Sequence, residues 1–303
     1  MKYVKKFETS AQFNNFVLDS TNTPNVSLVE ELISTTGGLT FTPYIQNIHD
    51  YSQDYFTIEL LDDTNSIQIN VNGWSNKISY SLDNGTTWSE PSGLIELENI
   101  SNGSKILLKG NTDVSMSSSQ SLLIEIPNNE RFNVEGNIMS LYYGDNFTGV
   151  TTIPGSYAFY GLFANLTSLI NAGNLILPAT TLADNCYDYM FGGCTNLLTA
   201  PILPATTLVY SCYSSMFSDC TSLTTAPELP ATTLANGCYQ YMFNGCSSLN
   251  YIKCLATDIS ASDCLNDWVN GVASSGTFVK DSSMSSWPTG TSGIPTGWTV
   301  QDD

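Results

Sequence analysis

The sequence predicts a mainly β protein with short helices, built as a small N-terminal module, a β-sandwich domain, and a solenoid of 26-residue repeats with a C-terminal cap. Three observations carry that prediction. LPATTL recurs at 177–182, 203–208 and 229–234, and the Cys-Tyr and Met-Phe pairs recur in step with it. Short strand-like runs separated by polar turns fill residues 47–140. The terminus, 261–303, is rich in Gly, Ser and Trp. A fixed period of this length marks units that bury their apolar sides only by stacking on one another.

Residues 1–46 read as a separate module. Phe7, Phe13 and Phe16 form an apolar stripe, Val26 and Leu28 lie in a strand-like run, and Phe41 and Tyr44 lie in and just after the returning one. So short a segment builds little core of its own, so it is expected to fold against something else.

Residues 47–140 carry strand-like runs at 55–60, 66–71, 77–81, 105–109 and 121–126. Short strands spaced by turn residues predict a β-sandwich. Within it, Ser81, Asp83, Gly85 and Trp88 match S-x-D-x-G-x-x-W. Asp83 is expected to bond turn backbone, Gly85 to supply a positive φ, and Trp88 to pack across a hairpin. The motif resembles the Asp-box hairpin of sialidase-type propellers, where it is structural, and it occurs here once.

Residues 141–260 hold the repeats. The apolar spacing over Ser211–Phe217 predicts one or two helical turns, and the Thr-rich run after it a short strand ending at a Pro bend. The first repeat, aligned on Leu162-Phe163, is degenerate, as an end repeat should be. The 261–303 segment would cover the open end of the stack.

The cysteines follow the same period: Cys186, Cys212 and Cys238 in one column, Cys194, Cys220 and Cys246 in another. Ala, Leu and Val replace them at the stack ends, which suits small apolar core sites. Free thiols are therefore favoured, with some disulfides as the alternative. Zinc is not expected, because no Cys-x-x-Cys occurs and the single His is remote. Free thiols fit folding in a reducing cytoplasm.

Net charge is −19, from nine basic and 28 acidic residues. Such a chain is not expected to bind nucleic acid through phosphate neutralisation. No apolar run approaches membrane-span length, and the N-terminal residues lack the apolar core of a secretory signal. Acidic residues such as Asp62, Asp63, Asp145, Asp184 and Asp188 form no recognisable catalytic pair, and no nucleophile or phosphate motif occurs, so no enzyme activity and no cofactor are expected.

Where repeats differ at a fixed register, exposure is expected. Those positions are Asp188/Ser214/Gln240, Tyr189/Ser215/Tyr241 and Gly193/Asp219/Gly245. Tyr beside Asp or Gln suits sugar contact. The competing reading is that Tyr189 and Tyr241 merely cover the repeat surface.

The block LPATTLADNCYDYMFGGCTNL at 177–197, with its two copies, resembles the BspA-type leucine-rich repeats of gut Bacteroidetes and their phages. The opening residues, with Pro24–Glu30 and Phe41–Tyr44, look like an N-terminal segment shared by virion proteins of such phages. That resemblance implies a head or tail fibre subunit made in the host cytoplasm and carried on the virion surface. Phe7, Phe13, Phe16, Val26, Leu28, Phe41 and Tyr44 would dock on capsid or tail proteins. Homo-oligomerisation is implied, with a trimer favoured and a dimer as the alternative, and a bacterial surface glycan or protein would be the target. A bacterial surface adhesin and a polysaccharide-cleaving tailspike are the competing functions.

Overall fold

The computed structural model describes residues 51–70, 78–90, 94–110 and 130–303. The chain divides into two compact units, Met1–Asp50 and Tyr51–Asp303. The seven residues read as a docking set, Phe7, Phe13, Phe16, Val26, Leu28, Phe41 and Tyr44, lie outside the described residues, as does the strand read at 121–126.

The described residues are mainly strands, with one four-residue α-helix. In chain order they are β1 (Phe56–Leu60), β2 (Thr64–Asn70), β3 (Ser79–Ser81), β4 (Leu94–Ile100), β5 (Lys105–Lys109) and β6 (Phe132–Asn137), then helix α1 (Ser140–Tyr143), then β7 (Leu169–Ile176). A five-stranded sheet runs β3-β5-β1-β6-β7, and β2 pairs with β4 in a separate ribbon. The sheet is antiparallel except at β6–β7, which is parallel. Central strand β1 buries residues of both faces. Ribbon strand β4 alternates, burying Ile95 and Leu97 on one face only.

Strand β7 belongs to the first repeat, so the expected boundary at 140/141 is crossed by one continuous sheet. Rings reinforce the join. Phe56 packs on Phe163 at 5.8 Å, and Tyr142 meets Phe159 edge-on at 5.0 Å. The Ser140 hydroxyl accepts from Phe56 N–H and donates to Leu108 C=O, tying α1 to the sheet.

Strands β4 and β6 were not read from the sequence. In β6 the cause is visible. Its Glu135 and Asn137 are buried polar residues, and a Cβ on Gly136 would stand 2.1 Å from Tyr55 O, so the chain there is close-packed but not apolar.

Over the repeats the structure departs from the predicted helix. Residues 183–194 form consecutive tight turns. Cys186, Asp188, Met190, Gly192 and Cys194 each donate N–H three residues back. The alternate residues, Asn185, Tyr187, Tyr189, Phe191 and Gly193, donate instead to carbonyls of the next repeat, at Tyr210, Cys212, Ser214, Met216 and Ser218. Every fourth residue has positive φ: Asn185 at 55°, Tyr189 at 56° and Gly193 at 76°. An α-helix needs every N–H directed four residues back and no left-handed residue, so apolar spacing alone misleads here. The pattern repeats in the runs 157–165, 211–219, 237–245 and 263–271. Successive runs are joined by five backbone bonds of 2.7–3.1 Å.

The opposite side is strand-like only in places. The Thr-rich run predicted as a strand makes a single bridge at Thr225, to Tyr251. Regular strands return at the end, where β8 (Tyr251–Cys254), β9 (Thr277–Lys280) and β10 (Thr299–Asp302) form a parallel sheet.

Two columns of rings fill the stack. Phe163, Phe191, Phe217 and Phe243 lie 5.2–5.8 Å apart. Phe159, Tyr187, Tyr213 and Tyr239 lie 5.6–6.2 Å apart. Both columns end on buried Trp268, and Trp287 stacks beyond it. Trp268 Nε1 donates to Gly293 C=O and Trp298 Nε1 to Ala273 C=O, so the terminal segment is held by its indoles.

All eight cysteines are free and buried. Cys194, Cys220 and Cys246 each donate a thiol hydrogen to a Phe carbonyl one repeat earlier, at 3.0–3.2 Å. Burial pushes Cys186, Cys194 and Cys246 up to about 12, and raises Cys212, Cys220 and Cys238 as well. These thiols therefore stay protonated and unreactive. Among the described residues, no helix is long and apolar enough to cross a membrane.

Candidate functional site

The register positions expected to be exposed lie on the turn side of the stack, and the structure separates them. Tyr241 is 38% exposed, Asp188, Tyr189, Ser215 and Gln240 are half-buried, and Ser214 is only 7% exposed. Ser214 is thus a correction to the exposure expected from sequence variation. Its counterparts Asp188 and Gln240 have the same buried neighbours but longer side chains and are half-buried, whereas the short serine does not reach out.

Gly193, Asp219 and Gly245 have a packing explanation. Their column has positive φ throughout, at 76°, 58° and 77°. A Cβ on Gly193 would stand 2.4 Å from Asn165 Oδ1, and one on Gly245 would stand 2.1 Å from Asp219 Oδ1. A side chain on one run occupies the space a Cβ would need on the next. Alternate filling accounts for the variation at this position.

The tyrosines are partly engaged within the chain. The Tyr189 ring lies over its own turn, where a Cβ on Gly192 would come within 2.1 Å of it, and its hydroxyl reaches Asn165 Oδ1 at 3.5 Å. The Tyr241 hydroxyl accepts from Asn266 Nδ2 at 3.2 Å. Asp188 precedes Tyr189 in the same run, and burial raises its carboxyl to about 6, an effect the Ser214 hydroxyl opposes. The sequence reading missed Tyr157 and Tyr160, each 38% exposed and in edge-on contact at 5.9 Å. Counting 28 residues forward from Tyr160 gives Asp188, so the degenerate first repeat held the signal. Tyr157, Tyr160, Asp188 and Tyr189 lie on two adjacent runs and give aromatic edges with hydrogen-bonding groups beside them, and Tyr241 lies two runs further along.

The hairpin motif is intact. Ser81 Oγ accepts from Gly85 N–H at 2.9 Å and donates to Asp83 Oδ1 at 2.8 Å. Asp83 accepts the Thr87 N–H at 2.8 Å and the Thr87 hydroxyl at 2.7 Å, and these bonds, with Ser81, hold its carboxyl down at about 2. Trp88 Nε1 donates to Gly85 C=O at 3.0 Å. The indole meets Tyr55 edge-on at 4.8 Å, and Lys109 Nζ stands 4.1 Å from its centroid. Lys109 and the Tyr55 hydroxyl both bond Asp145 Oδ1, at 2.8 and 2.6 Å. The hairpin is thereby fastened to the sheet.

Two of the other acidic residues named above, Asp62 and Asp63, are engaged within the chain. Asp62 holds Arg131 at 2.7 Å, and Asp63 accepts the Asn102 N–H at 2.8 Å. Among the described residues, no group of three or more His, Cys, Asp or Glu side chains could hold a metal ion. Comparison with known proteins finds no matching family model, no matching curated protein and no matching solved structure.

Proposed function

We propose that the chain is a structural virion protein, a head or tail fibre subunit of a Bacteroidetes-infecting phage. In this reading residues 1–46 dock on capsid or tail proteins, and residues 47–140 form a β-sandwich stalk that shares strand pairing with the repeats. The repeats form a leucine-rich-repeat solenoid, capped by 261–303 and facing outward to touch a host surface glycan or protein. The fibre is a homo-oligomer, a trimer before a dimer. It binds and does not catalyse.

The observation that carries this reading is the exposure, partial at Tyr189, of Tyr157, Tyr160, Tyr189 and Tyr241 on the turn side of a stack with almost no charge, Tyr241 two runs beyond Tyr189, with Asp188 and Gln240 in the adjoining column. Tyrosine supplies flat apolar area with a polar tip, and amide or carboxyl neighbours fix orientation, which is the chemistry of glycan contact. Each contact is weak, and oligomerisation adds them.

Immunogold microscopy of purified particles, with antibody against residues 141–303, tests the assignment. Label on capsid or tail is expected. Label on the bacterial envelope alone would replace the fibre with an adhesin. Tyr189→Ala combined with Tyr241→Ala should weaken particle adsorption while the fold persists, and unchanged adsorption removes this face as the contact.

A further inference from the structure

The last turn run, 263–271, has the same backbone plan as the runs before it, but no sixth run follows. Asn165, Gly193, Asp219 and Gly245 occupy one column, and each donates N–H to the following run, at Gly192, Ser218, Asn244 and Asn270. The next member of the column is Gly271. Its N–H finds no acceptor among the described residues. The terminal segment covers only the middle of this run. Val269 N–H donates to Thr291 C=O at 3.2 Å, and Asp267 N–H to the Ser292 hydroxyl at 3.0 Å.

Beside Gly271 the chain leaves a groove of about 200 Å³. Val269, Val272, Ala273 and Pro295 give it apolar walls, and the hydroxyls of Ser274 and Thr296 stand at its rim. No charged side chain lines it. Gly271 itself lines the groove.

We infer that this groove takes the acetamido group of a neutral N-acetylated amino sugar. The acetamido carbonyl accepts the Gly271 N–H, as a next-run carbonyl does elsewhere in the column. The acetyl methyl rests on Val269 and Val272, and the sugar hydroxyls reach Ser274 and Thr296. A backbone donor beside apolar side chains discriminates, because a sugar lacking the acetyl group forgoes both the hydrogen bond and the methyl contact. Acidic sugars have no cation to meet here. The inference rests on the glycan-contact reading above and adds to it a separate contact at the end of the stack, away from the tyrosines.

The test uses the full chain with two soluble probes, the trimer of β-1,4-linked N-acetylglucosamine and the corresponding glucose trimer. Saturation-transfer NMR should show the acetyl methyl receiving more magnetisation than the ring protons. The acetylated trimer should bind about tenfold more tightly, the worth of one hydrogen bond. Ser274→Phe fills the mouth of the groove from its exposed rim and should abolish the transfer with Tm unchanged. Thr296→Val should weaken it without loss of fold. Equal response from both trimers, or transfer unaltered in Ser274→Phe, overturns the proposal. Acetyl-selective binding without label on particles keeps the groove and removes the virion role. Label on particles without acetyl-selective transfer does the reverse.

Discussion

The five-stranded sheet and the stack of turn runs are held by the same backbone bond and stabilised by different side chains. The sheet mixes apolar residues with ion pairs: Lys105 with the largely buried Glu135, Lys109 with Asp145 and Arg131 with Asp62. The turn runs use rings and thiols, each repeated at the height of the next. A sheet strand has two different neighbours, so each of its positions can be solved separately, by charge or by packing. A run in the stack has neighbours nearly identical to itself. A charge repeated with the period would meet its like one repeat away, so the positions repeated in every run hold groups that pack well against copies of themselves. Flat rings and small thiols are such groups.

That contrast can be broken most directly at the end of the stack. Trp268 closes both ring columns and is fully buried. Trp268→Ala should cost about 3–5 kcal/mol by urea denaturation. If the loss is no larger than for a surface residue, the columns do not close there.

The alternate-filling argument predicts the next largest effect. Gly245→Ala places a methyl 2.1 Å from Asp219 Oδ1 at a φ of 77°. The expected loss is about 3 kcal/mol, from the left-handed backbone and the overlap together. Adding Asp219→Gly should recover the overlap part and leave about 1 kcal/mol of backbone cost. A second substitution that restores nothing would show that the two runs do not share that space.

The sheet has its own test. Lys105→Ala strands the Glu135 carboxylate, which is 8% exposed, while Lys105 itself is 38% exposed. A loss of about 1–2 kcal/mol is expected after allowance for solvent screening, and most of it should vanish in a Glu135→Gln background. A loss that persists in that background would assign it to the lysine stem.

Asp188 gives a smaller effect of opposite sign. Its carboxyl titrates near 4 when unfolded and near 6 in the folded chain, because burial disfavours the charge. The folded state therefore holds the proton more tightly. The stability this brings is complete below about pH 4 and is lost as pH rises through about 6. Asp188→Asn should raise stability by about 1–2 kcal/mol near pH 8, and by nothing near pH 4. The smallest effect is chemical. The buried thiols should resist a thiol reagent in the native protein and react fully in denaturant. Rapid native labelling would contradict the burial of both columns.

How much of this was legible in the sequence depended on periodicity. Cys186, Cys212 and Cys238, with the adjoining tyrosines, could be placed in the core because each position was stated several times over. The local conformation was not legible. Ser211–Phe217 has helical apolar spacing, and only the positive φ at Ser211, Ser215 and Asp219 shows that its N–H groups alternate between the run and its neighbour. Those left-handed positions are filled by Ser, Tyr, Asn, Asp and Gly alike, so composition does not flag them. Strand β6 failed for the reverse reason, being said once and in polar residues. At the candidate site, Tyr189 and Tyr241 stood out because their columns vary, while Tyr157 and Tyr160 were hidden by two extra residues in the first repeat.

The bonds between runs also set how the molecule responds to force. They join one run to the next, with further backbone bonds on the opposite side, so traction on the terminal segment loads one interface at a time. The outermost run would peel first, and the next interface would then bear the same load. Each release would free 26 residues, about 90 Å of extended chain. The stack would yield in equal steps under tension, dissipating a pull instead of transmitting it to its base.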